Sequence, residues 1–204
     1  MRNSRADVVE AALRVLDAHG LENCSMRRVA AELGVQPSAL YHHVPDKQTL
    51  LALMADEIVR GVAAPGAVRG SAPGATPGAA PVAVRGSKAG PATAADLCRA
   101  LRTAMLGVRD GADVVATASA FRLGASSVEA ALAELVGADG ARTLLLYTFG
   151  QAQSAQTHRQ AAAFAALADP SRVSADAEAE AEADLDASFD RGVEIILAGI
   201  DSLR

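Results

Sequence analysis

Apolar positions repeat every three or four residues through most of the chain, the spacing of one helix face. Val8, Val9, Ala12, Leu13 and Leu16 predict a first helix over 4–19, with Asp7 and Glu10 at its positive N-terminal end and Gly20 closing it. Leu21 is expected to pack back against that helix. Ser25 suits the N-cap of a second, short helix. Val29, Ala30, Leu33, Val35, Leu40 and Val44 can bury together if this helix and the next cross at Gly34, where glycine takes a left-handed conformation at no Cβ cost. Pro37 falls in the first turn of the third helix, where its missing N–H costs nothing. That helix should run about two turns, with Ser38, Ala39, Tyr41, His42 and His43 outward, until Val44-Pro45 breaks it. Asp46 caps a fourth helix, with Leu50, Leu51, Met54 and Ile58 on one face.

Beyond residue 60 the pattern stops. Residues 61–92 are rich in Pro and Gly, contain no acid and carry three cations, Arg69, Arg85 and Lys88. Such a stretch cannot bury enough apolar surface to fold alone, and it reads as a low-complexity linker. A fifth helix follows over about 93–108, with Leu97, Leu101, Ala104 and Met105 on its apolar face. Arg109-Asp110-Gly111-Ala112 ends it and opens a short sixth. Ser126 is placed as the cap of a seventh helix whose Val128, Ala131, Leu132, Leu135 and Val136 face inward. A long eighth covers 139–167, until Asp169-Pro170 stops it. Residues 174–184 are acidic and simple, an exposed helix or a disordered loop. A last helix over 184–203 repeats Leu185, Phe189, Val193, Ile196, Leu197, Ile200 and Leu203. A stripe that broad predicts packing on the eighth helix and on a second subunit.

The composition fits an all-α protein: 50% hydrophobic with much alanine, only 3% aromatic and no Trp. The predicted organisation is an N-terminal three-helix helix-turn-helix domain over 1–60, the linker over 61–92, and a helical effector-binding and dimerisation domain over 93–204. The formal net charge of −5 does not advertise nucleic acid, and residues 1–60 balance 7 Lys and Arg against 8 Asp and Glu. A DNA-binding reading therefore rests on motif and local geometry. Cys24 and Cys98 form no metal-ligand pattern, and Cys24 reads as a small buried residue. No apolar run suits a membrane span or a leader, so a cytoplasmic protein is expected.

Arg27-x-Val29-Ala30-x-x-Leu33-Gly34-Val35, then Leu40-Tyr41-His42-His43-Val44, then Asp46-Lys47-x-x-Leu50-Leu51 resembles the N-terminal domain of the tetracycline-repressor (TetR) family, without a gap over roughly residues 5–60. Arg109-Asp110-Gly111-Ala112 resembles the tetracycline-sensing branch. The resemblance implies a ligand-responsive transcriptional regulator, usually a repressor, released from a palindromic DNA operator by a small molecule. It also implies a homodimer whose last long helices pair as a four-helix bundle, with Tyr41, His43 and Lys47 at positions that grip phosphates. Packing of Tyr41 on the first helix is the structural alternative. By chemistry, Arg27 can reach a guanine edge as a bidentate donor. Gln36, Ser38 and His42 offer hydrogen bonds, and Pro37 and Ala39 offer small apolar surfaces for a thymine methyl.

For the effector, a pocket between helices is expected. The candidates are Met105, Val115, Phe121, Leu132, Tyr147, Thr148, Gln151 and His158. Phe189, Val193, Ile196, Leu197 and Ile200 are expected at the dimer interface. Tetracycline-sensing members place a magnesium-binding His where this chain has Val115, and Thr-Arg-Pro where it has Ala118-Ser119-Ala120. A different, apolar effector is therefore expected, with no metal and no cofactor. Four His residues and no nucleophile–base pair argue against an enzyme. The competing reading is a helical ligand-binding or dimerisation module that has lost operator binding.

Overall fold

A computed structural model of the chain describes residues 4–63, 93–168 and 174–203. These form eight α-helices and no strand: α1 Arg5–His19, α2 Met26–Glu32, α3 Pro37–Leu40, α4 Lys47–Ile58, α5 Ala94–Leu106, α6 Gly111–Ala120, α7 Ser126–Ala168 and α8 Ala175–Ser202. The expected linker lies almost wholly outside the described residues, as do Arg69, Arg85, Lys88 and Asp169-Pro170.

Helix starts follow from side-chain oxygens that accept otherwise unpartnered backbone N–H groups. Ser4 Oγ accepts from the Asp7 amide, and Asp7 Oδ2 accepts from the Ser4 amide at 2.6 Å, a reciprocal capping box on α1. Thr93 and Asp96 repeat that box on α5. Asp46 Oδ1 accepts from the Thr49 amide at 2.7 Å and starts α4. Ser126 does not play this part. It is the first helical residue of α7, and the amide before it, on Ala125, donates to Asp56 of α4 instead.

The two predicted helices spanning 126–167 are arms of α7, divided at Gly137 (φ 80°, ψ 166°). Within the first arm Val128 and Leu132 are fully buried, but Leu135 is 41% exposed rather than inward. α8 begins at Ala175, ten residues before the apolar stripe opens at Leu185, so the acidic run is an exposed helix. Its carboxylates are spaced to meet arginines on neighbouring helices. Glu182 pairs with Arg159 of α7 at 2.9 Å, Asp186 with Arg102 of α5 at 2.6 Å, and Asp190 with Arg99 of α5 at 2.7 Å.

One continuous core joins all the helices except the ends of α7 and α8. Leu16, Val29, Leu40, Val44, Leu50 and Met54 fill its N-terminal half. Leu97, Leu101, Met105, Leu132 and Leu144 fill the other, each contributing about 1.5–3 kcal/mol by leaving water. Phe189 and Val193 belong here too, only 2% and 1% exposed, with Phe189 stacked on Tyr147 and lying under the Arg102 guanidinium. They are consumed inside their own protomer, and this corrects their expected place at a dimer interface. Ile196, Leu197 and Ile200 are half-buried against the same core. Periodicity marked the right face but not what covers it.

Asp7, Asp46, Asp96 and Glu182 all titrate below the ordinary carboxylate range. The causes are the hydrogen bonds they accept: from the Ser4 amide, the Thr49 amide, the Thr93 hydroxyl and Arg159 respectively. A lowered folded pKa stabilises above the unfolded value, near 4, and that stabilisation is lost as pH falls through the folded value. The urea midpoint should therefore fall as pH drops below about 4. A midpoint that is constant from pH 5 to pH 3 would contradict these caps and pairs.

Candidate nucleic-acid interface and its link to the helical domain

The turn between α2 and α3 is built by its backbone. Leu33 ends α2, the Gly34 amide donates to the Ala31 carbonyl at 3.0 Å, and the Val35 amide donates to the Ala30 carbonyl at 3.0 Å. This paired closure needs a left-handed residue between the two donors, and Gly34 supplies it at φ 66°. Pro37 then opens α3 at its first position, as expected. α3 proper is one turn rather than two. The chain continues through 41–43 as a turn, tied by the His43 and Val44 amides to the Leu40 carbonyl, both at 2.8 Å.

Val29, Ala30, Leu40 and Val44 are buried beneath this unit, while Leu33 and Val35 are half-buried beside them. The opposite side presents Arg27, Gln36, Ser38, Ala39, Tyr41, His42 and Lys47 to solvent, with Pro37 and His43 half-exposed. All nine residues named from the sequence are thus exposed or half-exposed along the segment from α2 to the start of α4. Tyr41 is 52% exposed, so its ring is not spent on packing against α1. The Gln36 side chain makes no capping bond, which leaves its amide available.

The near-neutral charge of residues 1–60 resolves once the acids are located. Glu10 and Glu32 both pair with Arg14, and Glu57 pairs with Arg60. Asp7 and Asp46 cap helices, and Asp56 accepts from Ala125. Among the described residues, Arg27, Arg28 and Lys47 have no carboxylate partner. Their three charges are therefore not offset by an ion pair, although the domain as a whole is near neutral.

Two polar links tie this unit to the rest of the molecule. The Arg109 guanidinium donates to the carbonyls of Asp17 and Ala18, at 2.9 and 3.4 Å, closing the C-terminal end of α1. Asp110 accepts from the Leu21 amide at 2.8 Å with one oxygen and from Gln160 at 2.7 Å with the other. The second link is the 2.7 Å bond from the Ala125 amide to Asp56 of α4. Behind them, Gln156 is buried and accepts from the Ala112 amide at 3.1 Å, while Gln153 and Gln156 donate to the two oxygens of Asp113, each at 2.8 Å. Sequence reasoning did not single out these residues. The spacing of Gln153, Gln156 and Gln160 does mark a polar stripe along an otherwise apolar helix face, and that was the available signal.

The eight effector candidates do not converge. Met105, Val115, Leu132 and Thr148 are fully buried core, Tyr147 and Gln151 are half-buried, and Phe121 and His158 are exposed. Among the described residues, one cavity of about 490 Å³ is lined by Asp56, Val59, Arg60, Ser126 and others. Another, of about 350 Å³, lies where α6 meets α7. Neither is lined by any of the eight. Cys24 and Cys98 are both buried, and burial raises both thiol pKa values. Among the described residues, no group of three His, Cys, Asp or Glu could hold a metal, and no helix is long and apolar enough to cross a membrane.

An all-α chain with an exposed two-helix reading unit, braced on a larger helical domain, defines a helix-turn-helix protein. Residues 8–54 match the family model described as bacterial regulatory proteins, tetR family. The match covers the N-terminal part of the chain and leaves the rest of it unmatched. The chain is 58% identical over 53 residues to the HTH-type transcriptional repressor DrrR1 of Streptomyces coeruleorubidus, covering 26% of this chain and 20% of that one. It is 40% identical over 58 residues to the class E tetracycline repressor protein of Escherichia coli, covering 28% of each. These matches span a fifth to little more than a quarter of the curated relatives. Over nearly the full length it is similar to Mycobacterium smegmatis BioQ, with 28% identity, 98% of each chain covered and a TM-score of 0.74. A BioQ structure with its natural double-stranded DNA operator matches at 27% identity over 97% of this chain and 98% of that one, TM-score 0.67.

Asp110→Ala would leave the Leu21 amide and the Gln160 side chain without their acceptor. The expected cost is about 1–3 kcal/mol, read as a lower urea midpoint with unchanged slope. A midpoint equal to that of the unaltered protein would show that the link holds nothing.

Proposed function

We propose that the chain is a ligand-responsive, sequence-specific transcriptional regulator, a repressor released from a palindromic DNA operator when a small molecule binds its helical domain. The observation that supports this best is the exposure of Arg27, Gln36, Ser38, Ala39, Tyr41, His42 and Lys47 around the α2–α3 turn, with Arg27 and Lys47 in no ion pair among the described residues. In this reading residues 1–60 bind DNA, 61–92 are a linker, and 93–204 bind effector and form a homodimer in the cytoplasm. Similarity to BioQ, whose structure was solved on its operator, supports it over nearly the whole chain.

The roles follow from donor chemistry. Arg27 reads a guanine O6/N7 edge; Gln36, Ser38 and His42 add hydrogen bonds; Pro37 and Ala39 meet thymine methyls. Tyr41, His43 and Lys47 hold phosphates, which fix register but carry no sequence information. One such unit buries too little DNA for useful specificity, so two protomers read half-sites about 34 Å apart. The face left for the second protomer carries Ile195 of α8, 72% exposed. Effector binding acts by favouring one of two positions of α4, which changes the separation of the reading units.

Fluorescence-anisotropy titration on duplexes from the region upstream of its own gene tests the proposal. Affinity should fall steeply with salt, as counterion release requires. Arg27→Ala should cost about 1–3 kcal/mol and relax preference at one base position. Equal loss on all duplexes would make Arg27 a phosphate contact. No binding to any duplex at low salt would favour the module that has lost its operator.

A further inference from the structure

The corner joining α6 to α7 holds two of the three left-handed residues other than glycine among the described residues, the third being Asp110. α6 ends with the same paired closure as α2: the Arg122 amide donates to the Ser119 carbonyl and the Leu123 amide to the Ala118 carbonyl, both at 2.9 Å. The residue between must be left-handed. At α2 it is Gly34, but here it is Arg122, at φ 56°. Ala125, three residues on, is also left-handed at φ 55°. A residue with a Cβ is disfavoured in that conformation, and such outliers gather at ligand clamps and switch segments.

What the arginine supplies is its side chain, which lines the 350 Å³ cavity at this corner. Across the cavity stands Arg142 of α7, and neither guanidinium has a carboxylate partner among the described residues. Glu129 is the one acid in the lining, so two cations face one anion. Leu145, Leu146 and Phe149 supply an apolar wall, and the N-terminus of α7, at Ser126, adds the positive end of a long helix. The lining thus joins an apolar wall to a few charged groups, a combination that suits a small molecule with both characters.

We infer that this cavity is the effector site and that its ligand is a small anionic amphiphile, a carboxylate or sulfonate held between Arg122 and Arg142 with an aryl or alkyl body on Leu145, Leu146 and Phe149. The assignment rests on the ligand-responsive reading above and adds to it the chemical class of ligand and the path of the signal. That path is short. Two residues after Arg122, Gly124 lies so close to α4 that a Cβ would stand 2.7 Å from the Ala52 carbonyl oxygen. The next amide, on Ala125, is the one that donates to Asp56. A ligand drawing Arg122 into the cavity pulls on the two residues that seat α4.

The test uses the full chain without DNA, so its outcome does not depend on operator binding. The probes are 1-anilinonaphthalene-8-sulfonate and N-phenyl-1-naphthylamine, which share an aromatic body but differ in the sulfonate. The sulfonate probe should bind saturably, and Arg122→Gly and Arg142→Gln should each weaken it about tenfold, while the neutral probe binds all three proteins alike. Arg122→Gly places at the left-handed position the residue it favours, so this variant should be at least as stable as the unaltered protein, and lost binding cannot be lost folding. No saturable binding of the sulfonate probe, equal affinity in the variants, or neutral-probe binding as tight as that of the sulfonate would each overturn the assignment.

Discussion

α4 has to be covered on two sides. Leu50, Met54, Ala55 and Ile58 are buried around more than one face of a twelve-residue helix, against α1 on one side and α6 on the other. A helix apolar over so wide an arc cannot satisfy itself within a three-helix domain. It therefore makes the reading unit and the helical domain parts of one packed core. Close-packed interiors do not deform gradually, so any displacement of α6 or of its corner with α7 must be met by a discrete adjustment of α4. The polar links fix where this happens: Asp56 at one end of the contact, Arg109 and Asp110 at the other.

That arrangement also explains how a chain of net charge −5 can carry a face suited to a polyanion. The acids of the first sixty residues are used where they stabilise the fold, as helix caps and as partners for Arg14 and Arg60. Among the cations left without an ion pair are Arg27, Arg28 and Lys47, all exposed. Bulk charge carried little information because it averages over groups whose charges are already spent locally.

Much of the fold was legible from local chemistry. Ser25, Gly20, Gly34, Pro37, Asp46 and Thr93 each mark a boundary through a backbone requirement of their own, and the structure puts the boundaries there. The exposure of the nine candidate residues was legible for the same reason, since a short segment between fixed boundaries has few ways to face. Tertiary pairing was not legible. The stripe on α8 was visible, but only packing shows that Phe189 and Val193 serve Tyr147 and Arg102 of their own chain. The effector candidates failed similarly: polar and apolar residues on four helices cannot be assigned to a common cavity without knowing how those helices meet. The acidic run is the exposed helix that its composition allowed, but the pairing of Glu182 with Arg159, more than twenty residues away, was not legible.

The central claim is that the exposed face of α2, α3 and the start of α4 reads a DNA sequence twice, once per protomer. Selection from a pool of random duplexes, with sequencing of the protein-bound fraction, tests it most directly. The account predicts enrichment of a palindrome whose half-sites are separated by about one helical turn. Recovery of an unenriched pool at low salt would contradict it, and would leave the helical domain as the functional part of the molecule.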